Sequence, residues 1–236
     1  MIQFYTADIS ESLTLNAEES AHCARVVRKK AGDRIYVTDG KGWRYECEIV
    51  KADPKGVKVE ILKSETVEKG WGTEITLAVA PTKNADRMAW LMEKCVEIGV
   101  DRICFMQCRH SERKAVNTER LRRNAISAMN QSLKTRLPEI VEMQPLKEIL
   151  TLEGEKYFGY CDVDTERKEF SKEFRPGKGK KTVIAIGPEG DFSAEEVRAM
   201  QEAGFQAVTF GKERLRTETA AIYGVAAVHV LENAYE

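Results

Sequence analysis

The chain has only three histidines among 236 residues, and no two of its cysteines stand at the C-x2-C spacing of a zinc site. Cys104, Cys108 and His110 share an even spacing that would put them on one face of a strand, but no second ligand pair accompanies them, so no metal site is expected. The six cysteines (Cys23, Cys47, Cys95, Cys104, Cys108, Cys161) are scattered, mostly in apolar segments, unlike a disulfide framework, and a reducing cytoplasmic setting is expected. There is no Gly-x-Ser-x-Gly elbow, and His22, His110 and His229 lie in unrelated contexts, which argues against a nucleophilic triad. Neither a Walker loop nor a Gly-x-Gly-x-x-Gly turn occurs, which removes the commonest phosphate cradles. No apolar run nears the roughly eighteen residues that span a bilayer. The first residues lack the basic flank and apolar stretch of a signal peptide, so no membrane partner is expected. A net charge of −1 gives no global signature of nucleic-acid binding.

Charge is nonetheless concentrated locally. Between Arg109 and Arg136 eight cations (Arg109, Arg113, Lys114, Arg120, Arg122, Arg123, Lys134, Arg136) face only Glu112 and Glu119, and a smaller group comprises Arg25, Arg28, Lys29, Lys30 and Arg34. Either group alone reads equally well as a solvated face; two groups together favour a polyanionic partner.

The pattern of the chain changes once. Residues 1–70 read as a small β-rich, barrel-like domain: alternating strands at 33–38, 43–50 and 56–62, a hairpin signal at Asp39-Gly40-Lys41-Gly42, and one helix at 18–28. The polar, glycine-ended stretch 63–72 reads as a linker. From residue 73 to 236 strands alternate with helices, which predicts an α/β domain with a mainly parallel sheet. The strands fall at 74–80, 102–107, 156–161, 182–186 and 206–210, and the helices at 86–98, 118–133, 194–203 and 217–232. Met88, Leu91, Met92, Cys95 and Val96 form a core stripe closed by Gly99, and Ser193-Ala-Glu-Glu196 has capping-box spacing with Gly204 as the stop.

Two strands in this second domain end on glycine. One runs into Gly187-Pro188-Glu189-Gly190, the other into Gly211 and then Leu215-Arg216-Thr217-Glu218, where Thr217 is placed to cap a helix. A third ends on Ala80-Pro81-Thr82-Lys83. Glycine permits a tight turn without further purpose, so one such turn means little. Three bare loops at one carboxyl edge predict a pocket for a small polar ligand held by main-chain groups, with Arg216 projecting into it.

The paired stretches IGPEGDFSAEEV and GKERLRTETAAIYGV resemble the signature of the RsmE family, the ribosomal RNA uridine-N3 methyltransferases of the knotted SPOUT superfamily. Residues 22–33, Lys94-Cys-Val-Glu-Ile-Gly-Val-Asp101 and the stretch 131–140 resemble three further segments of that family. Asp191 stands where glycine is usual there, and Leu133-Lys134 where Gly-Arg is usual. The resemblance implies a PUA-like RNA-binding domain followed by a SPOUT methyltransferase domain with a trefoil knot, working as a homodimer on 16S ribosomal RNA. It implies S-adenosyl-L-methionine held by Ala80, Pro81, Ile186, Gly187, Pro188, Glu189, Gly190, Phe210, Gly211, Leu215, Arg216 and Thr217. Within that site Arg216 is the candidate stabiliser of the deprotonated base, and Glu189 or Glu218 the candidate proton acceptor. RNA contacts are expected from Arg25, Arg28, Lys30, Arg109, Arg113, Arg120, Arg123, Lys134 and Arg136. Two other classes stay open: a non-catalytic RNA-binding or assembly factor, and a methyltransferase acting on transfer RNA.

Overall fold

The computed structural model describes residues 2–161 and 166–235, which form two compact units. The first comprises Met1–Gly70 together with Ile126–Leu137, the second Trp71–Ala125 and Pro138–Glu236.

The first unit is built on a four-stranded sheet in the order β1 (Gln3–Tyr5), β2 (Arg34–Thr38), β3 (Trp43–Lys51), β4 (Lys58–Thr66). β1 pairs parallel to β2, and the remaining pairs are antiparallel. The hairpin turn falls at Asp39–Gly42 as the sequence predicts, and Asp39 Oδ1 accepts the N–H groups of Lys41 and Trp43. Alternation along β3 sends Tyr45, Cys47 and Ile49 into a core shared with Phe4, Ile35 and Val59. Two expectations need correcting. The helix expected at 18–28 is a short α2 (Ala17–Ala21), after α1 (Ile9–Ser12), and it runs into a π-helical turn at His22–Val26 that ends at Arg28 with φ +60°. The expected linker at 63–72 begins later, because β4 continues to Thr66 along β3.

Ile126–Leu137 joins this unit through backbone and side-chain bonds. Gly42 N–H donates to Thr135 O (2.9 Å), Leu137 N–H to Gly40 O (2.9 Å), and the Gln3 side chain to Lys134 O (2.7 Å). The segment begins inside α4 (Thr118–Gln131), a helix that stops two residues before the predicted 133. A Schellman arrangement ends it: Lys134 N–H reaches Met129 O, Leu133 N–H reaches Asn130 O, and Leu133 sits at φ +56°.

The second unit is a seven-stranded, wholly parallel sheet. Its strands are β5 (Glu74–Val79), β6 (Arg102–Gln107), β7 (Glu139–Pro145), β8 (Glu155–Gly159), β9 (Lys168–Glu169), β10 (Lys181–Ile186) and β11 (Phe205–Thr209). Their spatial order is β7-β6-β5-β10-β8-β11-β9. The predicted strands are all present; β1, β7 and β9 were not anticipated, nor were the short helices α1, α5 (Leu146–Leu150) and α6 (Phe170–Glu173). These pieces are two to seven residues long or lack clean alternation, so periodicity does not mark them.

Helices cover both faces of the sheet. α3 (Ala85–Ile98) packs on α8 (Thr217–Tyr235), which lies on β5 and β10, while α5 and α7 (Ala194–Glu202) pack together and against β6, β7 and β11. Strand alternation separates the two layers. Val183 and Ala185 join Ile149, Val197 and Met200, whereas Ile184 faces α8 so closely that a Cβ on Gly224 would lie 3.1 Å from its Cγ2. Among the described residues no helix is long and apolar enough to cross a membrane.

Candidate functional site

Strand order locates the crevice. From β5 the chain leaves towards β6 on one side, and from β10 it leaves towards β11 on the other, although β5 and β10 are neighbours. Loops departing in opposite directions open a gap at the carboxyl ends of such a pair, where parallel sheets take ligands. The loop after β5 carries Ala80, Pro81 and Thr82, all buried, and the loop after β10 carries Gly187 and Pro188, buried, then Glu189 and Gly190, exposed.

Several groups lock these loops. Glu189 Oε1 accepts the N–H of Lys83 (3.2 Å), tying the β10 loop to the β5 loop, and Arg113 donates to the carbonyl of the same Lys83 (2.7 Å). His110 Nδ1 lies 3.1 Å from Gly190 O and 3.0 Å from Asp191 O. Both partners are acceptors, so this nitrogen is the donor. Asp191 adopts φ +61°, the conformation for which glycine is the usual choice. Its carboxylate offsets that cost by accepting from Cys161 N (3.1 Å) and Phe192 N (2.9 Å).

The start of α8 closes the site from the far side. Thr217, expected as a helix cap, is the first residue of the helix, and its hydroxyl donates to Gly187 O at 3.1 Å. The capping position belongs to Arg216, whose carbonyl accepts Ala220 N–H (2.8 Å) and whose side chain is exposed. Gly211, at φ +141°, has open space where a Cβ would stand. Glu218, one residue into the helix, is only 5% exposed. Its Oε1 lies 3.5 Å from Arg87 Nε, and its Oε2 is buried with no hydrogen-bond partner among the described residues. That leaves a buried acceptor able to take a ligand's donor. Together with the glycine-lined backbone, this fits a small polar ligand.

The structure thus gathers Ala80, Pro81, Ile186–Gly190 and Thr217 with Glu218 at one crevice, and puts Phe210 and Gly211 at the end of β11, one strand beyond β8. It adds Arg87, which no spacing in the sequence connects to a residue 131 positions on, and His110, whose contacts arise from strand order. Among the described residues no cluster of three or more His, Cys, Asp or Glu is placed to hold a metal. Cys104 and Cys108 are buried thiols, pushed up by burial to about 11 and about 12.

The basic residues divide in two. Arg109 pairs with Glu195 and Arg120 with Asp86 in exposed contacts, so each is weakly held, while Arg136 donates to Lys41 O (2.9 Å). Arg25, Arg28, Lys30 and Arg123 are exposed, and Lys134 is half-buried.

Comparison with known proteins accounts for this arrangement. Residues 69–229 match the RNA methyltransferase domain family and residues 15–62 the RNA methyltransferase PUA domain. The ribosomal RNA small subunit methyltransferase E of Bacillus subtilis is 24% identical over 231 residues, spanning 92% of this chain and 89% of that protein. That of Mesomycoplasma hyopneumoniae is 27% identical, spanning 94% and 96%. A probable rRNA-methyltransferase from Porphyromonas gingivalis superposes over the whole of both chains with a TM-score of 0.93 and 40% identity. The ribosomal RNA small subunit methyltransferase E of Neisseria gonorrhoeae, bound to S-adenosyl methionine, superposes over 98% of each chain with a TM-score of 0.83 and 28% identity. The chain belongs to the RNA methyltransferase family, with that family's PUA domain preceding its methyltransferase domain, and within it to the RsmE group.

Proposed function

We propose that this protein transfers a methyl group from S-adenosyl-L-methionine to N3 of one uridine in small-subunit (16S) ribosomal RNA. The observation that carries the reading is the crevice at the β5/β10 switch point, lined by bare backbone and closed by the Thr217–Gly187 bond. It belongs to a fold that a methyl-donor-bound relative shares over almost its full length.

In this reading Ala80, Pro81, Ile186–Gly190, Phe210, Gly211 and Leu215–Thr217 hold the donor through main-chain groups. When bound, it supplies a methyl already activated on a sulfonium. The protein's own task is then to align N3 with the methyl carbon, an orientation effect that can supply about 7–11 kcal/mol, and to take the N3 proton. Arg216, exposed at the mouth of α8, stabilises the negative charge that develops on the uracil ring. Glu189 and Glu218 are the two candidate acceptors of the N3 proton.

Basic residues of each unit hold phosphates: Arg25, Arg28, Lys30, Lys134 and Arg136 in the first, Arg109, Arg113, Arg120 and Arg123 in the second. Such contacts position the RNA, whereas choice of one uridine rests on shape and an extruded base. A cytoplasmic homodimer with a knotted carboxyl-terminal path belongs to the same proposal. The position of β10 between β5 and β8, both laid down earlier in the chain, is the feature that supports the knot.

The test is deletion of the gene followed by mapping of ribosomal RNA methylation. One N3-methyluridine in 16S RNA should disappear and return when purified protein and S-adenosylmethionine are added. An unchanged 16S pattern overturns the reading, and a lost transfer RNA modification replaces it.

A further inference from the structure

The two candidate proton acceptors, Glu189 and Glu218, are not equivalent. Glu189 is exposed on a loop tip, and one of its oxygens already accepts the Lys83 N–H. Its role there is to tie two loops. Glu218 is buried in the first turn of α8, next to the residue that grips the Gly187 turn. A cation on a neighbouring helix lies against one of its oxygens: Arg87 Nε approaches Oε1 to 3.5 Å from the first turn of α3. The other oxygen is buried and has no partner among the described residues.

Leaving a carboxylate oxygen buried without a donor is costly, and native proteins seldom do so. An unpartnered buried acceptor therefore points to a donor on the ligand. With Arg87 already beside the carboxylate, a second full positive charge is not required, and a neutral N–H or O–H donor fits better.

Resting on the reading of the chain as a uridine-N3 methyltransferase, we propose that Glu218 Oε2 receives the N3 proton of the target uridine and that Arg87 is the positioning residue that holds Glu218 for this task. The N3–H bond breaks with its proton passing to Glu218. Its electron pair forms the N3–CH3 bond as the sulfonium C–S bond breaks with its pair on sulfur. Glu218 then releases the proton to solvent.

The experiment uses the full-length protein with small ribosomal subunits from a strain lacking it, comparing wild type, Glu218→Gln, Arg87→Met and Arg87→Lys. Turnover, its pH dependence and the affinity for S-adenosylhomocysteine by calorimetry are measured. Glu218→Gln should lower kcat by about 100-fold or more, the scale of a lost general base, while the S-adenosylhomocysteine Kd stays within about threefold. Its residual rate should climb about tenfold per pH unit in alkaline solution, because only the pre-ionised imide then reacts. Arg87→Met should lower kcat with the S-adenosylhomocysteine Kd unchanged, and Arg87→Lys should restore most of the loss. If Glu218→Gln instead weakens S-adenosylhomocysteine more than about tenfold and turns over normally at saturating donor, the oxygen serves the donor and the proposal falls. Unaltered pH profiles in all variants overturn it equally. Wild-type protein that makes no N3-methyluridine defeats the functional reading itself, an outcome separate from both.

Discussion

Thr217 Oγ donates to the carbonyl of Gly187 across 3.1 Å, joining residues thirty positions apart in the interior of the second unit. This bond sets the start of α8 against the first glycine turn, tying the helix to the β10 loop. Replacing Thr217 with Val keeps the shape but leaves the buried carbonyl without its donor. We expect a loss of about 1–3 kcal/mol in stability and a roughly tenfold weaker S-adenosylmethionine affinity, with Thr217→Ser near wild type. Thermal unfolding and calorimetry measure the two effects. Unchanged donor affinity in the Val variant would show that the bond does not shape the site.

Arg216 is exposed, and its backbone carbonyl, not its side chain, serves the helix start. Truncation to Ala should therefore leave α8 intact. Turnover should fall by about 100-fold, the usual scale for removing one charge-stabilising donor, while donor affinity stays within a few-fold. Normal turnover in this variant would remove Arg216 from the chemistry.

Arg113 and Arg123 separate two roles that the charge pattern merges. Arg113 grips the carbonyl of Lys83 in the β5 loop, whereas Arg123 is exposed on α4. Arg123→Ala should weaken RNA binding and reduce the slope of log affinity against log salt by about one, without touching donor affinity. Arg113→Ala should also weaken the donor, because it frees the loop. Equal donor affinities in the two variants would deny Arg113 its structural part.

In the first unit Glu19 is buried, and burial pushes its carboxyl up to about 7 against hydrogen bonds from Tyr5 N–H and the Asn130 amide. The folded chain thus keeps a proton that the unfolded chain releases near pH 4.5. Stability present below that pH declines as pH rises and is lost in full above about 7. Glu19→Gln accepts the same N–H groups without ionising. Urea unfolding should show that its stability changes less between pH 5 and 8 than that of wild type, by at most about 3 kcal/mol. Parallel pH dependences in the two proteins would contradict the assignment.

Asp191 and Leu133 show how far residue identity can be read. Both stand where the RsmE resemblance leads one to expect glycine, and both have positive φ, +61° and +56°. The backbone demands of the turn after β10 and of the end of α4 persist although the glycine does not, each at a cost of about 1–2 kcal/mol. Asp191 offsets it with bonds to Cys161 and Phe192 that sequence alone does not disclose, since Cys161 lies on a neighbouring strand end.

What the sequence determined by itself was local. Alternation and helical spacing placed the predicted strands and long helices, the Ser193–Glu196 capping box formed as its spacing requires, and glycines marked the turns at Gly187 and Gly211. These follow from backbone sterics and from which face of an element is apolar, both of which act over a few residues. Tertiary structure alone decided that β10 enters between β5 and β8, that Ile126–Leu137 completes the first unit, and that Glu218 lies buried beside Arg87. Such pairings join residues far apart in the chain. Periodicity says which face of an element is buried but not which partner buries it, so the crevice was foreseeable as three bare strand ends and Glu218 as one of two candidate acids, whereas the burial of Glu218 beside Arg87 was not.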